Sequence, residues 1–218
     1  MAQAALRPTV RGPTFIRLLA RLAEVDVAAP GPSLPDRLGQ WLDWNHALSL
    51  AAALDGKPAS PPADSPPAAD LHAECMRARE ALATAIQGDP LLAPASADTG
   101  HDFVAYRQLC LARQRALQAT TGRLRGKLRD ALMQASPELV RLAEVDAVME
   151  ATLTSREHTL LAKVPDLLHH RFERLRAAGH ASPTWLDGFR RDMQSVLLAE
   201  LDLRFQPVDA LLATLRTS

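Results

Sequence analysis

Seven cationic side chains crowd one stretch of the chain. Arg107, Arg113, Arg115, Arg123, Arg125, Lys127 and Arg129 follow one another with no acid between Asp102 and Asp130. On a helix, at about 100° per residue, Arg107 and Arg125 point the same way, Arg129 and Arg115 lie close by, and Arg123 and Lys127 lie further round. Such a face could grip phosphates without sequence preference and with strong salt dependence. It could equally seat an acidic helix of another protein or touch anionic lipid. Arg107, Arg115, Arg123, Arg125, Lys127 and Arg129 are therefore the candidate binding residues, for protein or nucleic acid. The plainer explanation is a face that is solvated or paired with acids of the same chain. No zinc finger or base-reading motif accompanies it.

The other chemistry-bearing groups are sparser. His169, His170 and Glu173 form an HHxxE run in which His169 and Glu173 share a helix face, and His158 lies upstream. A metal would still need ligands from elsewhere, and the HExxH spacing of zinc hydrolases is absent. These histidines read as surface groups, and no metal or cofactor is expected. Cys75 and Cys110 are too few for a disulfide scaffold and fall in helical patterns beside core positions, so both read as buried free thiols. The sequence carries no GxSxG elbow, P-loop, dinucleotide fingerprint or paired CxxC. Asp187, Asp192, Glu200 and Asp202 are spread around a helix rather than paired for acid/base work.

The elements that position these groups are helical. Hydrophobic residues make up 47% of 218 residues but aromatics only 4%, and isoleucine occurs only at Ile16 and Ile86. Leucine and alanine dominate, and strand-type β-branched runs are missing. The fold class expected is all-α: an irregular helical bundle with a long central helix and a proline-rich disordered linker. The central helix spans Phe103 to Ala135, with Phe103, Tyr106, Cys110, Leu117, Leu124, Leu128 and Ala131 at spacings of three, four and seven. Gly122 and Gly126 inside it mark a bend or a close approach by another backbone.

Before it, Pro13 opens a helix that ends near Val27, ahead of Pro30-Gly31-Pro32. Ser33 caps a second helix reaching Leu54, and Trp41 and Trp44 within it read as core anchors. A stacking surface for a base or a proline-rich peptide is the alternative for the two tryptophans. Residues 55–69, with Pro58, Pro61-Pro62 and Pro66-Pro67, read as a linker. Asp70 to Ile86 resumes helix, and residues 91–101 form a loop. After the central helix, Ser136-Pro137-Glu138 starts another that runs on toward Val164, and Pro165 stops or kinks it. Asp166 to Ala178 is a short helix before Gly179. Ser182-Pro183-Thr184 starts the next, and Gln206-Pro207 breaks it ahead of a final helix over 208–215. These give an N-terminal helical pair at 13–54, the linker at 55–69 and a main domain at 70–217, sharing one core. A six-residue echo, Arg21 to Asp26 and Arg141 to Asp146, reads as coincidence in so leucine- and alanine-rich a chain.

Formal net charge is zero, from 25 basic and 25 acidic residues, so nothing global points to nucleic acid. Residues 22–100 hold eleven acids against four bases. That acidic stretch either packs on the basic helix or meets a partner of its own. No secretory signal or membrane-spanning segment is legible, so a cytoplasmic location is expected.

Three stretches together carry a family resemblance: Gly12-Pro13-Thr14-Phe15-Ile16-Arg17-Leu18-Leu19; Leu38-Gly39-Gln40-Trp41-Leu42-Asp43-Trp44; and Arg191-Asp192-Met193-Gln194 with Leu198-Ala199-Glu200-Leu201-Asp202-Leu203-Arg204. The chain resembles the uncharacterised proteobacterial family known as domain of unknown function 3348. The resemblance supplies no activity and no catalytic residues. Its members lie near genes for inner-membrane and OmpA-like or motor-like proteins, which implies an accessory part of an envelope-associated assembly. The expected function is thus a non-catalytic structural or adaptor protein. Its partner is another protein, met at the basic helix and at Arg7 and Arg11. Nonspecific nucleic-acid binding through the same arginines is the alternative. A metal-dependent enzyme around His169, His170 and Glu173 is the third.

Overall fold

The computed structural model describes residues 14–24, 34–55, 68–94, 102–178 and 184–217. Expectations for Arg7, Arg11, Ser33, Gly179, Ser182-Pro183 and most of the 55–69 linker fall outside them. Among the described residues there is no strand. The described residues hold eight α-helices: α1 (Thr14–Ala23), α2 (Leu34–Trp41), α3 (Trp44–Asp55), α4 (Ala68–Gln87), α5 (Phe103–Leu132), α6 (Pro137–Leu161), α7 (Val164–Ala178) and α8 (Trp185–Thr217), with a 3-10 turn at Pro90–Leu92. The all-α expectation holds.

Contacts divide the chain into two compact units. One gathers residues 1–31, 83–114 and 163–203; the other gathers 32–82, 115–162 and 204–218. The helices α4, α5 and α8 contribute residues to both. The division therefore does not follow the order of the chain. The helix α1 falls in the first unit, while α2 and α3 fall in the second.

In the first unit the core is aromatic. Tyr106 meets Phe189 edge-on at 5.1 Å between ring centroids, and Phe172 meets Phe189 at 5.0 Å and Trp185 at 5.2 Å, both edge-on. Edge-to-face packing aims the positive ring edge at a negative ring face. Around them Leu168, Met193, Val196 and Leu197 are fully buried. The helix α1 packs on α7 by burying Phe15 and Leu22. It ends earlier than Val27, because Glu24 adopts a left-handed backbone (φ 53°). Arg174 donates to the free Leu22 carbonyl and pairs with Glu24 at 2.8 Å, so α7 closes the end of α1. In the first copy of the six-residue echo the helix ends at Ala23. Its counterpart lies inside α6.

In the second unit Leu117, Leu124, Leu128 and Leu132 of α5 are fully buried, as are Phe205 and Val208 of α8. The proline at position 207 does not break α8, which runs on to Thr217. Proline costs a helix one backbone hydrogen bond, and here burial of Phe205, Val208, Leu211 and Leu212 on either side outweighs that loss. Likewise Pro165 sits in the first turn of α7, where its missing N–H is free of cost; the chain breaks two residues earlier. The expected single helix from Ser33 to Leu54 is two, α2 and α3. The first ends at Trp41, and Asp43 begins the second: its Oδ1 accepts the His46 backbone N–H at 2.8 Å, an N-cap bond. The same bond holds the Asp43 carboxyl below the usual carboxylate range.

Candidate functional site

The helix α5 is continuous from Phe103 to Leu132 and passes Gly122 and Gly126 without interruption. A Cβ added at either glycine would meet nothing within 4 Å, so neither marks a close approach of another backbone. The apolar stripe is buried as its spacing predicts, with Tyr106, Cys110, Leu117, Leu124 and Leu128 all 2% exposed or less.

The cations on the remaining faces differ sharply in their surroundings. In the second unit, Arg125 grips Asp146 in a two-pronged pair, Nε to Oδ2 at 2.9 Å and Nη2 to Oδ1 at 2.6 Å. Its Nη1 lies 3.6 Å from Glu150. Arg129 reaches the same two carboxylates, Asp146 at 2.9 Å and Glu150 at 2.5 Å. The guanidinium groups are half-buried, with side chains 16% and 19% exposed. Burial works against the charge on Arg129, but the two carboxylates outweigh it and its pKa is raised. On another side of the helix Glu74 of α4 accepts from Arg123 at 2.6 Å and from Lys127 at 2.8 and 2.9 Å. The Lys127 ammonium foremost holds the Glu74 carboxyl below its ordinary range; burial opposes it, and Arg123 adds to the lowering.

In the first unit, Arg113 pairs with Asp89 at 2.6 Å, and Arg107 stands 3.7 Å from Asp166 with both side chains exposed. Arg115, in the second unit, is exposed and has no ion-pair partner among the described residues. Of the six candidate binding residues, four are therefore tied to Glu74, Asp146 and Glu150, one is loosely paired and one is open.

The sequence reading looked to residues 22–100 for balancing acids. Glu74 and Asp89 come from there, but Asp146 and Glu150 come from α6. The signal for them is spacing. Arg125 and Arg129 are four apart, and so are Asp146 and Glu150, so each pair stacks on one face of its own helix.

The other sequence candidates are structural. His169 is exposed, stacks on Phe103 with ring centroids 4.5 Å apart, and lies 3.8 Å from Glu173. Among the described residues no group of three or more His, Cys, Asp or Glu side chains converges to hold a metal. Cys75 and Cys110 are buried free thiols. Burial and then the Glu200 carboxylate push the Cys110 thiol up to about 12, and burial raises Cys75 as well. Glu200 is itself fully buried and accepts from Gln114 Nε2 at 3.0 Å.

Trp44 corrects an expectation. Trp41 is half-buried beneath the Arg156 guanidinium, 5.2 Å from its ring centre. Trp44 is no core anchor: it is 77% exposed. The helix α3 packs on α6 through the side that carries Ala53, with His46 and Leu50 half-buried. At 100° per residue Trp44 and Leu48 lie opposite that side. The helix break at Asp43 resets the phase, so two tryptophans three apart no longer share a face.

What the fold and this site define is an all-α protein whose charge-segregated helix is neutralised in large part within the chain. The chain belongs to the family described as protein of unknown function (DUF3348), whose model matches residues 1–217. No curated protein and no solved structure matches it. No helix among the described residues is long and apolar enough to cross a membrane.

Proposed function

We propose that this protein is a non-catalytic structural or adaptor protein that works by binding another protein. The observation that carries the reading is the outer face of α3. Trp44, Leu48 and Leu54 stand exposed there at 77%, 52% and 49%, with Ala47, Ala51 and Ala52 exposed between them. From Trp44 to Leu54 there is no Asp, Glu, Lys or Arg. A contiguous exposed apolar patch marks an interaction surface. Arg115 offers a cationic contact elsewhere in the same unit.

Nonspecific nucleic-acid binding by the basic helix is the weaker proposal. Phosphates would have to compete with carboxylates already within 2.5–2.8 Å of Arg123, Arg125, Lys127 and Arg129. Competition of that kind removes most of the counterion-release gain that drives such binding.

The test is a pull-down of the full chain against products of neighbouring genes, inner-membrane and OmpA-like components among them. Capture of one by the wild type, lost in Trp44→Gln, supports the reading. Capture of none counts against it. In parallel, duplex and single-stranded DNA are titrated across a salt series. Salt-dependent binding that disappears on substitution of Arg123 and Arg125 would favour the nucleic-acid proposal instead.

A further inference from the structure

The exposed face of α3 is self-complementary, and we infer that a second copy of this chain covers it through an antiparallel pair of α3 helices about a two-fold axis. The inference rests on reading that face as a protein-binding surface and names its occupant.

Trp44, Ala47, Ala51 and Leu54 follow one another at spacings of three, four and three. That is the seam of a helix that pairs with another helix. In an antiparallel two-fold pair centred between Ala47 and Ala51, Trp44 meets Leu54 of the second copy and Ala47 meets Ala51. Small residues at the crossing let the two backbones approach closely, and the bulky residues close both ends. Leu48 flanks the seam. In a two-fold pairing each patch meets its own copy, so any charge on the seam would risk facing itself; from Trp44 to Leu54 there is none.

The area sets the strength. A tryptophan buries up to about 250 Å², so Trp44 at 77% exposure leaves roughly 190 Å² open. Two half-exposed leucines and three exposed alanines bring the face to about 450 Å², or about 900 Å² for the pair. Stable specific complexes bury about 1,200–2,000 Å². The pair is therefore a reversible dimer that forms at high protein concentration. The same register sets Asp43 and Asp55 of opposite copies near each other at the rim, where like charges weaken the pair. Asp43 also caps α3, whereas Asp55 is exposed at its far end.

Sedimentation equilibrium of the full chain, from about 1 μM to about 500 μM, reads this directly. The expected result is an average mass rising with concentration from the 23.7 kDa monomer toward twice that value. Trp44→Gln should weaken association at least tenfold and Asp55→Asn should tighten it severalfold, with far-UV circular dichroism unchanged in both. A chain that stays monomeric throughout overturns the inference, whether another protein or a segment of the same chain covers the face. So does a dimer indifferent to Trp44→Gln. A monomer that still captures a neighbouring gene product through Trp44 would leave the protein-binding function standing while this inference falls.

Discussion

Replacing Asp146 by asparagine strips the shared carboxylate from two arginines. Arg125 loses its two-pronged partner, and Arg129 loses one of its two carboxylate partners on α6, leaving both to Glu150. The side chains of Arg125, Arg129 and Asp146 are 16%, 19% and 13% exposed, so water makes good only part of the loss. A fully exposed pair would be worth about 0–1 kcal/mol. Breaking a fully buried pair costs about 3–5 kcal/mol. A half-buried cluster with two charge-assisted partners falls between, at about 2–3 kcal/mol. Urea unfolding followed at 222 nm measures it, with a lower midpoint and an unchanged slope. A double-mutant cycle of Asp146→Asn with Arg129→Gln isolates the pair and should give a coupling of about 1 kcal/mol or more. A destabilisation below about 0.5 kcal/mol would be that of a solvated surface pair. It would refute the claim that these arginines serve the fold, and it would return them to the pool of residues available to a partner.

Three further outcomes follow from the same geometry. Gly126→Ala should stabilise the protein by about 0.5–1 kcal/mol, since the helix continues through it and the added methyl meets open space; a lower melting temperature would show that the space is filled. The Glu74 carboxyl is depressed in the folded protein from the ordinary value of 4.5. Below that value the unfolded chain binds the proton first, so Glu74 stabilises fully above it and its contribution is lost as the pH falls through the folded pKa. Glu74→Gln should flatten the acid limb of melting temperature against pH, and an identical limb would remove the linkage. Cys110, fully buried and with its thiol pushed up to about 12, should resist a disulfide reagent at neutral pH until the protein unfolds, as a thiol count in native and denatured protein would reveal.

Much of the architecture was legible from local pattern. The buried stripe of α5, the free thiols and the start of α6 at Ser136-Pro137 depend on periodicity and on the chemistry of helix ends, which act over a few residues. Ser136 takes the extended cap conformation, although its side chain makes no cap bond. Its hydroxyl instead meets Glu138, the main cause of that carboxyl's lowered pKa. Elsewhere a longer-range interaction decided. Pro207 stays inside α8 because Phe205 and Val208 are buried beside it. Trp44 turned outward because an aspartate-capped break between α2 and α3 shifted the helical phase.

The amino-acid order alone determined an all-α protein, the extent of its central helix and the separation of greasy from cationic faces along it. Helix propensity and side-chain periodicity are properties of neighbours within a turn or two. Only the tertiary structure decided what the cations do. Whether Arg125 and Arg129 meet water, a partner or Asp146 and Glu150 depends on which helices lie alongside α5, and electrostatic pairing is settled by distance in space.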